Sequence, residues 1–248
     1  MSDIDFAHTD LRVSEDDPSI SAAFVELERE GCLMRAYFAE PISADDTTPS
    51  IVLAMHLWGV NGEQRNTARR FAKEGIAIIV PDLYARFDAP SGDEGHDTSE
   101  FLPFAKKLSK ETVEPDIQAA TMWIKQRFSQ GKVGIAGFCM GGTIALLRTM
   151  DRAETYSAAA IWYGSLADVA LELIDVPIVA SYGAEDHGIP LQTVEALQNV
   201  AVATDVKIYE GARHAFFDIE GSAFKRDAAD DSWRRSIAFL THHLRLSS

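Results

Sequence analysis

Cysteine is nearly absent from this chain. Among 248 residues there are two, Cys32 and Cys139. Two cannot build a disulfide framework, and no C-x-x-C pair suggests a metal site. Long apolar runs are missing as well. No stretch approaches the roughly 18 residues of a membrane span. The opening "MSDIDFAHTDLRVSEDD" lacks the basic and apolar regions of a signal peptide. A cytoplasmic protein with no membrane association is expected. Positive charge is scarce: 23 Lys and Arg against 38 Asp and Glu leave a formal net charge of −15. Phosphate backbones need a basic surface, so nucleic acid is excluded as a partner. Repeats and low-complexity tracts are also lacking.

What is present is an alternation of apolar runs and helical patterns. "AAFVELE" (22–28) and "LMRAYFA" (33–39) read as a β-hairpin turned through Gly31. "IVLAMHL" (51–57) and "IAIIVPDL" (76–83) are continuous apolar strands, with an amphipathic helix over 63–75 between them, stopped by Gly75. Residues 85–111 break this rhythm and are expected to form a surface excursion, with Phe87, Phe101 and Phe104 either roofing a pocket or anchoring the segment. A helix then starts at Pro115 and carries Ile117, Thr121, Ile124 and Phe128 on one face. Strands follow at 132–138, 156–164, 177–183 and 205–211. They alternate with helices at 141–150 and 191–203, and with a last helix marked by Trp233, Ile237, Leu240 and Leu244. Strands buried on both faces and alternating with helices predict an α/β fold: a mostly parallel central sheet flanked by helices, with the N-terminal hairpin as an antiparallel edge. The whole chain, 1–248, is expected to be one domain.

Three polar residues fall just past three predicted strand ends, where open α/β sheets build their sites. Cys139 lies in "GFCMGG", Asp186 in "GAEDHGIP" and His214 in "YEGARHAFFD". Nucleophile, acid and histidine in that chain order are the order of the α/β-hydrolases. Gly137-Phe138-Cys139-Met140-Gly141 fits a G-x-nucleophile-x-G elbow, in which glycines at both shoulders permit a tight strand-to-helix turn. A thiol at a helix N-terminus is favoured as an anion. The histidine would share its proton and the aspartate would fix the ring. The backbone N–H of Met140 and one near Leu57 would hold an oxyanion. Taken singly, each residue has a plainer role: a buried thiol, a turn aspartate, a loop histidine. Cys32 is expected to be an ordinary strand or turn residue. His8, His96, His242 and His243 read as exposed, and His187 points away from the acid beside it. His56, at the end of a buried strand, either borders the site or is a satisfied buried histidine.

These segments, with "HLWGVNGEQRNTARRFAKEGIAIIVPDLYAR", resemble the dienelactone hydrolases (carboxymethylenebutenolidases), from about residue 25 to residue 245. The resemblance implies an α/β-hydrolase fold, a monomer or weak homo-oligomer, no metal or organic cofactor, and a Cys139–His214–Asp186 triad. It implies hydrolysis of an enol-lactone through a thiol-ester acyl-enzyme; the best-known members open dienelactone to maleylacetate in chloroaromatic degradation. Two positions depart from the family. A glutamate of the family's "HEIFG"-like segment is here His56, which could pair with the thiolate as an imidazolium. Four residues after the histidine, where dienelactone-binding members place an arginine, stands Asp218, which would repel a carboxylate. Arg86 and Arg213 are the candidate replacements, with Trp58 and Phe216 as further pocket residues. A neutral ester, lactone or thioester, hydrolysed or transferred, is therefore an alternative substrate, and a binding module without turnover is the alternative from another class.

Overall fold

The computed structural model describes residues 11–87, 89–90, 92, 97–151, 155–166, 174–199 and 203–245. Strands β1 (Ile20–Arg29) and β2 (Cys32–Pro41) form the expected hairpin, paired over their full ten residues. Its turn is tight because Glu30 and Gly31 both take positive φ, 49° and 78°, which matches the right-handed twist of the flanking strands. Six further strands follow: β3 (Ser50–Ala54), β4 (Ala77–Pro81), β5 (Val133–Phe138), β6 (Ala159–Trp162), β7 (Ile178–Gly183) and β8 (Thr204–Tyr209). All eight join one sheet in the order β1-β2-β4-β3-β5-β6-β7-β8. β2 pairs antiparallel with both β1 and β4, and every pairing from β4 through β3 to β8 is parallel. The central strands are buried at every position, which is why they read as unbroken apolar runs rather than alternations.

Helices α1 (Gly62–Lys73), α2 (Thr98–Ala105), α3 (Lys110–Arg127), α4 (Met140–Asp151), α5 (Leu191–Leu197) and α6 (Arg226–Leu244) flank the sheet. The face of α6 carrying Trp233, Leu240 and Leu244 is buried as expected. The excursion at 85–111 holds α2, whose Phe101 is 1% exposed and stacks on Tyr84, so of its two expected roles this aromatic takes the anchoring one. Three expected boundaries need correction. Helix α3 begins five residues before Pro115. Ser109 caps it: the Thr112 hydroxyl accepts the Ser109 N–H at 2.9 Å, and the Ser109 carbonyl takes the N–H of Val113 at 2.9 Å. That first turn is formed before Pro115 is reached, so the proline sits inside the helix. The strand expected at 51–57 also ends early, at Ala54; residues 56–59 make a turn, closed by the Gly59 N–H on the His56 carbonyl. Helix α5 is shorter than the 191–203 expected, and residues 200–202 lie outside the described residues, as do His8 and His96. Among the described residues no helix is long and apolar enough to cross a membrane.

Candidate active site

The turn between β5 and α4 is steric in origin. Cys139 has φ +54°, a conformation that costs an ordinary L-residue about 1–3 kcal/mol and persists only where its surroundings enforce it. A Cβ on Gly137 would lie 2.0 Å from the Gly141 carbonyl oxygen, and one on Gly141 would lie 2.1 Å from the Ala54 carbonyl oxygen. Both shoulders must therefore be glycine for helix α4 to sit against β3 and β5. The Cys139 N–H is tied to the Trp162 carbonyl on neighbouring β6 at 3.0 Å. The thiol is thus held up at the carboxyl edge of the sheet, at the N-terminus of α4.

Two loops bring the partners. Asp186 follows β7 and is 7% exposed; its Oδ1 accepts the Gly188 N–H at 3.0 Å, leaving Oδ2 for the histidine. His214 follows β8. Its Nδ1 lies 2.6 Å from Asp186 Oδ2, and its Nε2 lies 3.1 Å from Cys139 Sγ. Burial alone would push the His214 imidazolium pKa down. Hydrogen bonds to Asp186 and Cys139, with the charges of both, outweigh it and raise the pKa to about 10. A ring protonated on both nitrogens donates to the carboxylate on one side and to sulfur on the other. Tyr163, with a positive φ of 38°, packs its ring 5.0 Å from that of His214 and limits where the imidazole can turn.

Leu57 lies in the turn that follows β3, and Met140, next to the thiol in sequence, is the first residue of α4. Among the described residues neither backbone N–H has a hydrogen-bond acceptor. Leu57 is buried in the 56–59 turn, whose Leu57 carbonyl accepts the Tyr84 hydroxyl at 2.9 Å.

The other expected residues divide. His56 does not pair with the thiol. Its Nδ1 accepts the Trp58 N–H at 3.2 Å and its Nε2 faces Glu63 Oε2 at 3.3 Å, so both ring nitrogens are engaged elsewhere. Arg86 turns into an ion cluster, donating to Asp116 at 2.5 Å and to the Thr112 carbonyl at 3.1 Å, where Arg29 also meets Asp116. Asp116 is 1% exposed and needs both cations, which is why Arg86 is drawn inward. Arg213 is exposed and donates to the Ser222 carbonyl. Phe216 is fully buried between Tyr163 and Tyr209, in the core rather than on a pocket wall. Trp58 lines a polar cleft of about 500 Å³ with Arg35, Arg65 and Tyr84. His187 and His242 are exposed as expected, whereas His243 is half-buried against Phe239. Cys32 is exposed at the start of β2. Among the described residues no three His, Cys, Asp or Glu side chains converge to hold a metal ion. Glu63 is the residue that pattern reading missed: it stands in the first turn of α1, a place that normally favours an exposed acid.

A family model described as the dienelactone hydrolase family matches residues 34–244. A protein from Escherichia coli (strain K12), provisionally named a carboxymethylenebutenolidase, is 28% identical, covering 93% of this chain and 90% of its own. One from Synechocystis sp. (strain ATCC 27184 / PCC 6803 / Kazusa), with the same provisional name, is 30% identical over 87% and 94%. A crystal structure from Klebsiella pneumoniae subsp. pneumoniae MGH 78578, provisionally described as a dienelactone hydrolase, is 29% identical with a TM-score of 0.80, covering 90% of this chain and 98% of that one.

Proposed function

This chain belongs to the dienelactone hydrolase family and is a hydrolase, and we propose that it hydrolyses a neutral ester or lactone through a thiol ester on Cys139. The observation that carries the reading is the unbroken line from Asp186 Oδ2 through His214 to Cys139 Sγ, at 2.6 and 3.1 Å. The thiolate attacks the carbonyl carbon and the C–S bond forms. The N–H groups of Leu57 and Met140 receive the oxyanion. As the tetrahedral intermediate collapses, the C–O bond breaks and the leaving oxygen takes the Nε2 proton of His214. The neutral ring then accepts a proton from water, which attacks the thiol ester. The acid is released, and the thiolate and imidazolium are restored.

The surroundings favour an uncharged substrate. Asp218 stands where a carboxylate clamp would need a cation, and Arg86 and Arg213 are committed to Asp116 and Ser222. Beside the elbow, a cleft of about 550 Å³ runs along one face of α4, lined by Met140, Ile144 and Leu147 against Leu108 and Val113. Cavities of this size take small molecules, and this lining suits an apolar acyl group. The test is hydrolysis of p-nitrophenyl acetate, butyrate and hexanoate, and of cis- and trans-dienelactone, by the wild type and by Cys139→Ala. Turnover of the neutral esters, lost in the variant, is expected, with dienelactone the poorer substrate. Equal rates in both proteins would remove Cys139 from the chemistry.

A further inference from the structure

A second histidine–carboxylate pair lies behind the first, buried under the loop that carries Leu57. His56 and Glu63 are each 6% exposed. Glu63 Oε1 accepts the Thr67 hydroxyl at 3.0 Å, and its Oε2 faces His56 Nε2. Burial alone would push the Glu63 carboxyl up; the hydrogen bond and charge interaction with His56, the hydrogen bond from Thr67 and the nearby charge of Arg70 outweigh it and hold it below its ordinary range. The tautomer of His56 follows from its neighbours: the Trp58 N–H donates to Nδ1 at 3.2 Å, so Nδ1 presents a lone pair and the ring proton stands on Nε2, toward Glu63 Oε2.

This bond reaches the oxyanion turn directly. The peptide joining Leu57 to Trp58 is gripped at both ends, its carbonyl by the Tyr84 hydroxyl and its N–H by His56 Nδ1. The preceding carbonyl, that of His56, is taken by the Gly59 N–H at 3.1 Å. With these three groups of the turn bound, the Leu57 N–H is without an acceptor among the described residues. Resting on the thiol-ester reading above, we propose that the His56–Glu63 pair is a positioning device: Glu63 fixes the tautomer of His56, and His56 fixes the Leu57–Trp58 peptide, which together with the Gly59 N–H on the His56 carbonyl holds the adjoining peptide whose Leu57 N–H is aimed at the oxyanion.

The three substitutions at His56 separate its two nitrogens. Asn can place an acceptor near Nδ1 but does not reach Glu63; Gln reaches Glu63 but offers nothing to Trp58; Phe does neither. Glu63→Gln keeps the shape but can donate to Nε2, which would put the histidine proton on Nδ1 and set two donors facing each other. The readouts are kcat and KM for p-nitrophenyl acetate and the alkylation rate of Cys139 by iodoacetamide, a displacement at carbon that needs no oxyanion hole. Since removing a whole oxyanion donor costs about 10²–10³-fold, a misaimed one in His56→Phe, His56→Gln and Glu63→Gln is expected to lower kcat by roughly 10- to 100-fold. KM and alkylation should hold, and His56→Asn should recover part of the loss. Unchanged kcat in these variants, with turnover still dependent on Cys139, overturns the proposal and leaves the hydrolase reading intact. A parallel fall in alkylation overturns it too, since the pair would then merely hold the site together. Wild-type turnover that survives Cys139→Ala overturns both readings at once.

Discussion

Asp186–His214 and Glu63–His56 are the same two kinds of side chain put to opposite uses. In the first, the carboxylate holds Nδ1 and the exposed end, Nε2, faces a nucleophile; the histidine side chain is 39% exposed and can meet substrate and water. In the second, the carboxylate holds Nε2 and the lone pair of Nδ1 faces a backbone N–H; the side chains are 8% and 6% exposed. One ring has somewhere to send a proton. The other has its proton enclosed between groups that do not react. What distinguishes a proton carrier from a proton keeper is thus neither residue type nor pairing but what stands at the far nitrogen and whether water reaches it.

Removing the two histidines should separate their effects on turnover most widely. His214→Ala is expected to lower ester turnover by about 10³-fold or more, His56→Ala by the roughly 10- to 100-fold of a misaimed oxyanion donor. Each variant leaves a buried carboxylate, Asp186 or Glu63, without its ring, so both should lose folding stability on the order of 3 kcal/mol in urea unfolding. Matching turnover losses in the two variants would erase the distinction.

Titration sharpens it. The His214 pKa is raised, so its ring carries both protons at neutral pH and gives one up only near pH 10. An imidazole NMR titration should show that midpoint in the wild type. It should fall toward the ordinary value in Asp186→Asn and in Cys139→Ser, each of which removes an anion from one side of the ring. A midpoint near 6.5 in the wild type would break the assignment of His214 as the resting proton donor.

The smallest effect belongs to the other anchor of the oxyanion turn. Tyr84→Phe removes one hydrogen bond to the Leu57 carbonyl, worth about 1 kcal/mol. A loss in kcat of roughly 3- to 10-fold is expected, with KM steady, below that of His56→Phe. A larger loss than in His56→Phe would make the tyrosine, and not the keeper histidine, the main constraint on the turn.

Much of this was legible from residue order alone. Alternating apolar and amphipathic segments led to a mostly parallel sheet, and Cys139, Asp186 and His214 lie together because each follows a strand ending at the same edge. The keeper pair was not legible for a physical reason. Glu63 sits in the first turn of an amphipathic helix, where acids usually complement the dipole in water, and nothing in helical spacing signals that Thr67 and His56 enclose it. Arg86 misled in the converse way. An arginine in a loop beside a site reads as a ligand clamp, but Asp116 of α3 lies thirty positions on in sequence and meets it directly in space. Pro115 reads as a helix start, but a capped turn supplied by Ser109 and Thr112 precedes it.

The exposed thiol of Cys32, beside the hairpin turn at the start of β2, has a practical use. It is a built-in stopwatch. Mass spectrometry of one reaction mixture follows two cysteines in the same molecule, at the same pH and reagent concentration, one in open solvent and one opposite an imidazolium. The ratio of their labelling rates needs no separate reference compound. It isolates what the elbow does to sulfur from everything that acts on the whole chain.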